Sequence, residues 1–469
     1  LIDEVETHIK GGMSAVTALR TAVSKFAQKF EVMEDPYFQS RAEDIRNLGN
    51  QIYAKLINTH DGEFCTSSQK VVLVGGLVGI SDISQYPVER LAGIVSLEGS
   101  HLSHTALISR DLRIPAVMGV GNQQGFINGQ MVAINGYSSE VLIAPTDDEI
   151  KRIECLIASE QQEVAELEPL SGLKAITIDG YRVTLLSNTG LLQDVSAALA
   201  CGAEGVGLYR SEIPFISSNS FPTEQEQTKL YKSILRSLDS KPVCMRTLDV
   251  GSDKSLPYFS YAEENPSLGW RGIRFTLDNS TIFTSQMRAM LKASVGLDNL
   301  KILIPMVSSV AEVDSFIELF EVAFLQVKEN YPAVVRPPIG VMAEVPVITK
   351  VIPFLKGKVD FVSIGTNDLS QYILAVDRNN SNVSALFDHF HPGLLLTIEE
   401  ILTVSELAGM EVSVCGEMAS IPDVALLLMG MGITRLSMVA SSIPKMKSVI
   451  RSVSQSDMKE LWDDAKRLG

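Results

Sequence analysis

The chain has 469 residues, 45% of them hydrophobic and 20% charged, a length that exceeds one compact core and predicts two or three domains. Its net charge of −16 and pI of about 4.9 argue against nonspecific nucleic-acid or anionic-membrane binding, so no nucleic-acid or membrane partner is expected. No apolar run reaches the ~18 residues of a membrane span.

The opening Leu1-Ile2-Asp3-Glu4 has no apolar stretch behind a basic start, so no signal peptide is expected, and the missing Met predicts that a segment precedes it. Cys65, Cys155, Cys201, Cys244 and Cys415 are odd in number, far apart and free of CxxC spacing. They predict a reducing cytoplasm without disulfides or a thiolate zinc site.

Apolar Val16, Leu19, Val23, Phe26, Phe30 and Met33 recur at helical spacing, Glu34-Asp35-Pro36 breaks the run, and Phe38, Ala42, Ile45, Leu48, Ile52 and Leu56 form a second stripe. The pattern predicts a helical hairpin. Short β-rich runs at Lys70–Val74, Gly93–Leu97 and Val132–Ile134, with a helix-like stretch at Thr105–Arg110, predict a small α/β domain over 61–145. A polar helix over 147–168, with Ile150, Ile153, Ile157, Val164 and Leu167 on one stripe, reads as a linker within 146–170.

Beyond it, eight strand-like runs alternate with amphipathic stretches: Arg182–Ser187, Gly205–Tyr209, Val243–Leu248, Lys301–Pro305, Ile339–Met342, Phe361–Ile364, Glu411–Val414 and Leu436–Val439. The fold class is therefore α/β, with a (β/α)8 barrel over 171–469. A doubly wound open sheet remains the alternative that spacing leaves open.

Barrel chemistry sits where strands run out into loops. Polar residues recur there: Arg210-Ser211-Glu212, Arg246 with Asp249, Asp253 and Lys254, Glu344, Asn367-Asp368, Arg378, and Cys415-Gly416-Glu417. Arg210, Arg246, Arg378 and Lys254 are suited to a ligand carrying phosphate and carboxylate. Glu344 and Asp368 are suited to Mg²⁺, which takes one or two protein carboxylates and completes its shell with water and substrate oxygens. The competing reading is a structural network in which these charges pair among themselves. His104 lies in Gly99-Ser100-His101-Leu102-Ser103-His104-Thr105, where small residues leave room for a phosphate near a helix start. A structural or surface histidine is its bland alternative.

Together these segments form a recognisable series. Gly99–Arg110 resembles the phosphohistidine signature of enzyme I of the bacterial phosphoenolpyruvate-dependent phosphotransferase system. Gly205–Glu212, Arg246–Gly251 followed by Asp253-Lys254, Glu264–Arg271, Gly365–Tyr372 and Cys415–Met418 resemble its substrate-binding motifs, in the same order. Ile213-Pro214-Phe215, Trp270–Arg274 and Val376–Asn380 are similar to the nitrogen-related variant. The resemblance implies that the chain begins inside the docking subdomain for a carrier protein (1–60), without the variant's sensory domain and without the first part of the His domain. It also implies a swivelling phosphohistidine domain over 61–145.

The resemblance assigns roles residue by residue. His104 is the residue phosphorylated. Arg210, Arg246, Asn367, Asp368 and Arg378, with Lys254 and Arg271 nearby, hold phosphoenolpyruvate. Glu344 and Asp368 bind Mg²⁺, and Cys415 donates a proton. The implied partners are phosphoenolpyruvate, a histidine-containing phosphocarrier protein and a second copy of the chain docked through the barrel. Two other readings stand beside it. A pyruvate phosphate dikinase or phosphoenolpyruvate synthase would need an ATP-grasp domain, for which no segment is long enough. A catalytically silent regulator would not need the intact residue set.

Overall fold

The computed structural model describes residues 2–31, 70–76, 78, 80–83, 86–87, 90–97, 109, 114–121, 125–216, 218, 220–251, 256, 258–259, 263, 265–377, 383 and 386–468. They divide into two compact units, 1–155 and 156–469. Among the described residues no helix is long and apolar enough to cross a membrane.

The first unit opens with helices Ile2–Lys10 and Ala15–Glu31. Ser14 starts the second: its hydroxyl accepts from the Thr17 amide at 3.2 Å, which satisfies one of the donors a helix start leaves open. Ala18, Leu19, Ala22 and Ala27 bury one face. The helix over 2–10 was not anticipated, and the second predicted stripe, Phe38 to Leu56, lies outside the described residues.

Strands β1 (Val71–Gly75), β2 (Leu91–Ser96) and β3 (Ala116–Met118) form a parallel sheet in that order. β4 (Val132–Asn135) and β5 (Glu140–Ile143) form an antiparallel hairpin. The predicted helix Thr105–Arg110 falls outside the described residues apart from Ser109. The polar helix runs Asp147–Leu167. Thr146 and Glu149 start it with reciprocal bonds of 2.8 Å and 3.4 Å, a capping box.

In the second unit β6 (Ala175–Ile176) pairs antiparallel with β7 (Arg182–Thr189). Then follow β8 (Val206–Arg210), β9 (Val243–Arg246), β10 (Leu300–Ile304), β11 (Ile339–Ala343), β12 (Phe361–Gly365), β13 (Glu411–Cys415) and β14 (Arg435–Met438). Each strand from β7 to β14 is parallel to the next, and β14 pairs with β7. The sheet is closed, so the (β/α)8 expectation holds and the open-sheet alternative falls.

Helices cover the outside of the sheet. Val310–Asn330 starts on a Ser309–Glu312 capping box and turns buried Val313, Phe316, Phe320 and Val327 into the core. Inside the barrel, Leu208, Cys244, Leu303, Met342, Phe361 and Cys415 form one buried cluster. The interior is thus a packed plug, and polar groups gather at the C-terminal ends of the strands and in the loops that follow them.

Candidate active site

Arg210 and Arg246 end neighbouring strands β8 and β9 and are register partners across them. Arg210 is exposed while Arg246 is buried. Burying a guanidinium demands compensation. Glu212 accepts from Arg246 Nη2 at 2.5 Å, and Asp249 Oδ2 lies 3.1 Å from Nη1. Arg246 Nε is buried and has no hydrogen-bond partner among the described residues.

Arg271, only 1% exposed, continues the chain of charges. Its Nη2 lies 3.2 Å from Asp249 Oδ2 and its Nη1 lies 3.5 Å from Asp368 Oδ1. Asp249 thus bridges Arg246 and Arg271. Both arginines are engaged by carboxylates, as the structural-network reading expects. Among the described residues, four buried carboxylates, Glu212, Asp249, Glu344 and Asp368, stand beside two buried guanidiniums.

Glu344 follows β11 and is buried. Its Oε1 accepts from the Met306 amide at 2.5 Å. Met306 adopts the left-handed backbone region at φ 57°, uncommon for a residue with a side chain. Gly272, next to Arg271, is also left-handed, and a Cβ there would sit 2.9 Å from Met306 Cβ and Cγ. The loops after β9 and β10 therefore meet only because residue 272 lacks a side chain. Burial, then the charges of Asp368 and Asp249, push the Glu344 carboxyl well above the ordinary carboxylate range, against the opposing pull of Arg246 and Arg271.

Among the described residues buried carboxylates thus outnumber buried guanidiniums, an arrangement that fits a divalent cation. Among the described residues no group of three or more His, Cys, Asp or Glu side chains forms a metal cage. A pair such as Glu344 and Asp368 suits an ion that keeps water or substrate oxygens in its shell, as Mg²⁺ does.

On the far side of the mouth, Asn367 Oδ1 accepts from the Glu417 amide at 3.0 Å, tying the loop after β13 to the helix after β12. Gly416, at φ 118°, permits the approach, since a Cβ there would collide with Thr366 Oγ1. Cys415, the last residue of β13, is 1% exposed. The Ser363 hydroxyl donates to its Sγ at 3.3 Å, and its own S–H donates to the Ile364 carbonyl at 3.4 Å. Burial pushes the thiol up to about 11, with Glu344 adding to the rise and Ser363, Arg246 and Arg210 opposing it.

The structure thus gathers Arg210, Arg246, Arg271, Glu344, Asn367, Asp368 and Cys415 at one end of the barrel. His104, Lys254 and Arg378 lie outside the described residues. The sequence reading gave Glu212 and Asp249 no role, although they set the position of both buried arginines. It missed Met306 and Gln286 altogether. Gln286 left a trace in the sequence, a polar residue on the stripe of Phe283, Met287 and Met290, all of them buried. Met306 left none, because a left-handed backbone at a residue with a side chain carries no sequence signature.

Comparison with known proteins bears on the same segments. Residues 164–455 match the family described as "PEP-utilising enzyme, PEP-binding domain", residues 67–139 its "mobile domain" and residues 1–41 its "N-terminal" part. A Salmonella typhimurium protein, "Phosphoenolpyruvate-dependent phosphotransferase system", is 39% identical over 460 residues, covering 98% of this chain and 61% of that protein. An Escherichia coli protein of the same description matches to the same extent. The chain thus spans 61% of the length of both relatives. A Staphylococcus carnosus "Phosphoenolpyruvate-protein phosphotransferase" is 36% identical over 469 residues, covering 99% of this chain and 82% of that protein. With a closed barrel, these segments in this order and identity over nearly its whole length, the chain belongs to the PEP-utilising enzymes, in the phosphoenolpyruvate-protein phosphotransferase (enzyme I) family.

Proposed function

We propose that this chain takes the phosphoryl group of phosphoenolpyruvate onto its own His104, releases pyruvate, and passes the group to a histidine-containing phosphocarrier protein. The observation that carries the reading is the barrel mouth. Buried guanidiniums sit there beside buried carboxylates, and a buried thiol lies at an adjacent strand end. The N-terminal helices 2–31 belong to the carrier-docking subdomain (1–60), and 61–145 is the phosphohistidine domain. The nitrogen-related branch rests on the motifs around Ile213, Trp270 and Val376. Homodimerisation and a cytoplasmic location rest on the resemblance.

In this mechanism Arg246 and Arg271 bind the anionic substrate from below, with Arg210 at the rim, and the resemblance assigns Lys254 and Arg378 to the same substrate. Asn367 orients the substrate through its amide. A nitrogen of neutral His104 bonds to phosphorus as the bond from phosphorus to the enol oxygen breaks, and the electron pair leaves with the enolate. Mg²⁺ held by Glu344 and Asp368 would supply positive charge against the phosphate oxygens and the departing enolate. The Cys415 thiol gives its proton to the methylene carbon, which yields pyruvate, and solvent returns a proton to the thiolate. His104 belongs to the unit 1–155 and the cations to 156–469, so each turnover requires the two to meet, with the 147–167 helix as the connecting arm.

The test uses the whole chain with phosphoenolpyruvate and Mg²⁺, followed by intact mass and pyruvate release. The chain gains one phosphoryl group from phosphoenolpyruvate and none from ATP, and EDTA prevents the gain. No gain, or equal gain from ATP, overturns the reading.

The proton-donor assignment has its own expected result. Because burial holds the thiol up to about 11, Cys415 stays protonated through the neutral range, and turnover shows no alkaline loss from this group near neutral pH. Cys415→Ser keeps near-normal phosphoenolpyruvate affinity and loses ~10²–10⁴-fold in pyruvate formation, the usual worth of a positioned acid. A packing cysteine would instead lower the melting temperature and leave turnover near wild type, so both are measured on one preparation.

A further inference from the structure

Gln286 lies in the Ser280–Ala293 helix, outside the barrel, and is fully buried. A buried amide must find partners for one oxygen and two N–H bonds. Its oxygen accepts the backbone N–H of Leu248 at 2.9 Å. Its nitrogen donates to Ser211 Oγ at 3.1 Å and to the Tyr231 hydroxyl at 3.3 Å. Tyr231 passes the chain on by donating to Gln227 Oε1 at 3.2 Å, and Gln227 Nε2 donates to the Pro222 carbonyl at 2.8 Å. The Leu248 N–H can meet only an acceptor, which sets which way the amide faces.

The two inner partners have particular neighbours in the sequence. Ser211 stands between Arg210 and Glu212, and Leu248 lies two residues after Arg246 and directly before Asp249. One side chain thus joins the loops after β8 and β9, which follow the two strand-end arginines and supply the two carboxylates that hold Arg246. Ser211 and Leu248 are themselves fully buried, so water cannot take over either bond. Arg246 reaches Glu212 and Asp249 at once, so a shift of one loop against the other changes the geometry of its guanidinium.

We propose that Gln286 is a positioning residue for the anion-binding arginines, locking the loops after β8 and β9 in register without touching substrate. The proposal rests on the phosphoenolpyruvate reading for its functional consequence, while the cross-link can be tested without it. Gln286→Met keeps volume and apolar packing but leaves the Leu248 N–H and the Ser211 hydroxyl without the amide. Tyr231→Phe serves as the control: it removes the hydroxyl that accepts the other Gln286 N–H and keeps the bonds to Leu248 and Ser211.

Two measurements are made on the full chain and both variants. Amide hydrogen exchange is followed in peptides covering 206–212 and 245–250, and phosphoenolpyruvate affinity with Mg²⁺ is measured by calorimetry. In Gln286→Met both peptides exchange faster together and affinity falls about tenfold or more, since small misplacements of binding groups are costly. Tyr231→Phe, with a comparable change in melting temperature, leaves both readouts near wild type. Unchanged exchange in Gln286→Met overturns the proposal, as does equal behaviour of the two variants. If the wild type binds no phosphoenolpyruvate but the paired loosening is seen, the substrate reading fails and the cross-link stands.

Discussion

His104→Ala abolishes phosphorylation of the chain by phosphoenolpyruvate, the largest single effect we expect. The phosphoryl acceptor has to be a nucleophile at neutral pH whose phosphorylated form stays reactive enough to pass the group on, and imidazole meets both demands. Of the cysteines, Cys244 and Cys415 are buried in the barrel interior, and burial raises both thiols, so neither offers a thiolate in its place. The cations assigned to substrate binding lie in the unit 156–469 and His104 in 1–155. The variant therefore keeps phosphoenolpyruvate affinity while losing the covalent step. His101→Ala, three residues away, keeps both. Intact mass before and after acid treatment reads the result, because phosphohistidine is acid-labile. Acid-labile phosphate on the His104→Ala protein would show that the nucleophile lies elsewhere.

The barrel was legible because its strands are buried on both sides, so short apolar runs such as Ile339–Ala343 and Phe361–Gly365 stand out between amphipathic stretches. Closure was not legible. It depends on β14 pairing with β7, two segments some 250 residues apart, and no local pattern reports that. The β6–β7 hairpin was missed because two residues at Ala175–Ile176 are too few to show a period. At the site, residue types were readable but their pairing was not. Arg246 stands out in the sequence as a cation suited to phosphate and carboxylate, but its flanking carboxylates, Glu212 and Asp249, are seen only in the fold. A sequence says that charges crowd at strand ends; which carboxylate meets which guanidinium is decided by register, seen in the pairing of Arg210 with Arg246 across β8 and β9.

Glu344→Gln separates stability from activity, and the two move in opposite directions. Glu344 is buried close enough to Asp368 and Asp249 for both charges to raise its carboxyl, in addition to the larger effect of burial. An acid whose folded pKa lies above its unfolded value favours the folded state below the unfolded value, and that contribution is lost as pH rises through the folded one. In EDTA the wild type should therefore melt at progressively lower temperature as pH climbs from the ordinary carboxylate value of 4.5 into the neutral range. Mg²⁺ should remove much of that loss, because a divalent ion discharges the carboxylates that repel each other. Gln keeps the carbonyl oxygen that accepts the Met306 amide and carries no charge. The metal-free variant should thus melt above the metal-free wild type at neutral pH, with a flatter pH dependence. Its Mg²⁺-dependent pyruvate formation should fall about a hundredfold or more, the scale of losing one electrostatic stabiliser of a transition state. Melting curves at several pH values, with EDTA and with Mg²⁺, and turnover at saturating Mg²⁺ on the same protein measure both sides. A variant that melts lower than wild type in EDTA at neutral pH would mean that Glu344 is held by attraction to Arg246 and Arg271, and that the surplus of negative charge is already balanced without a metal.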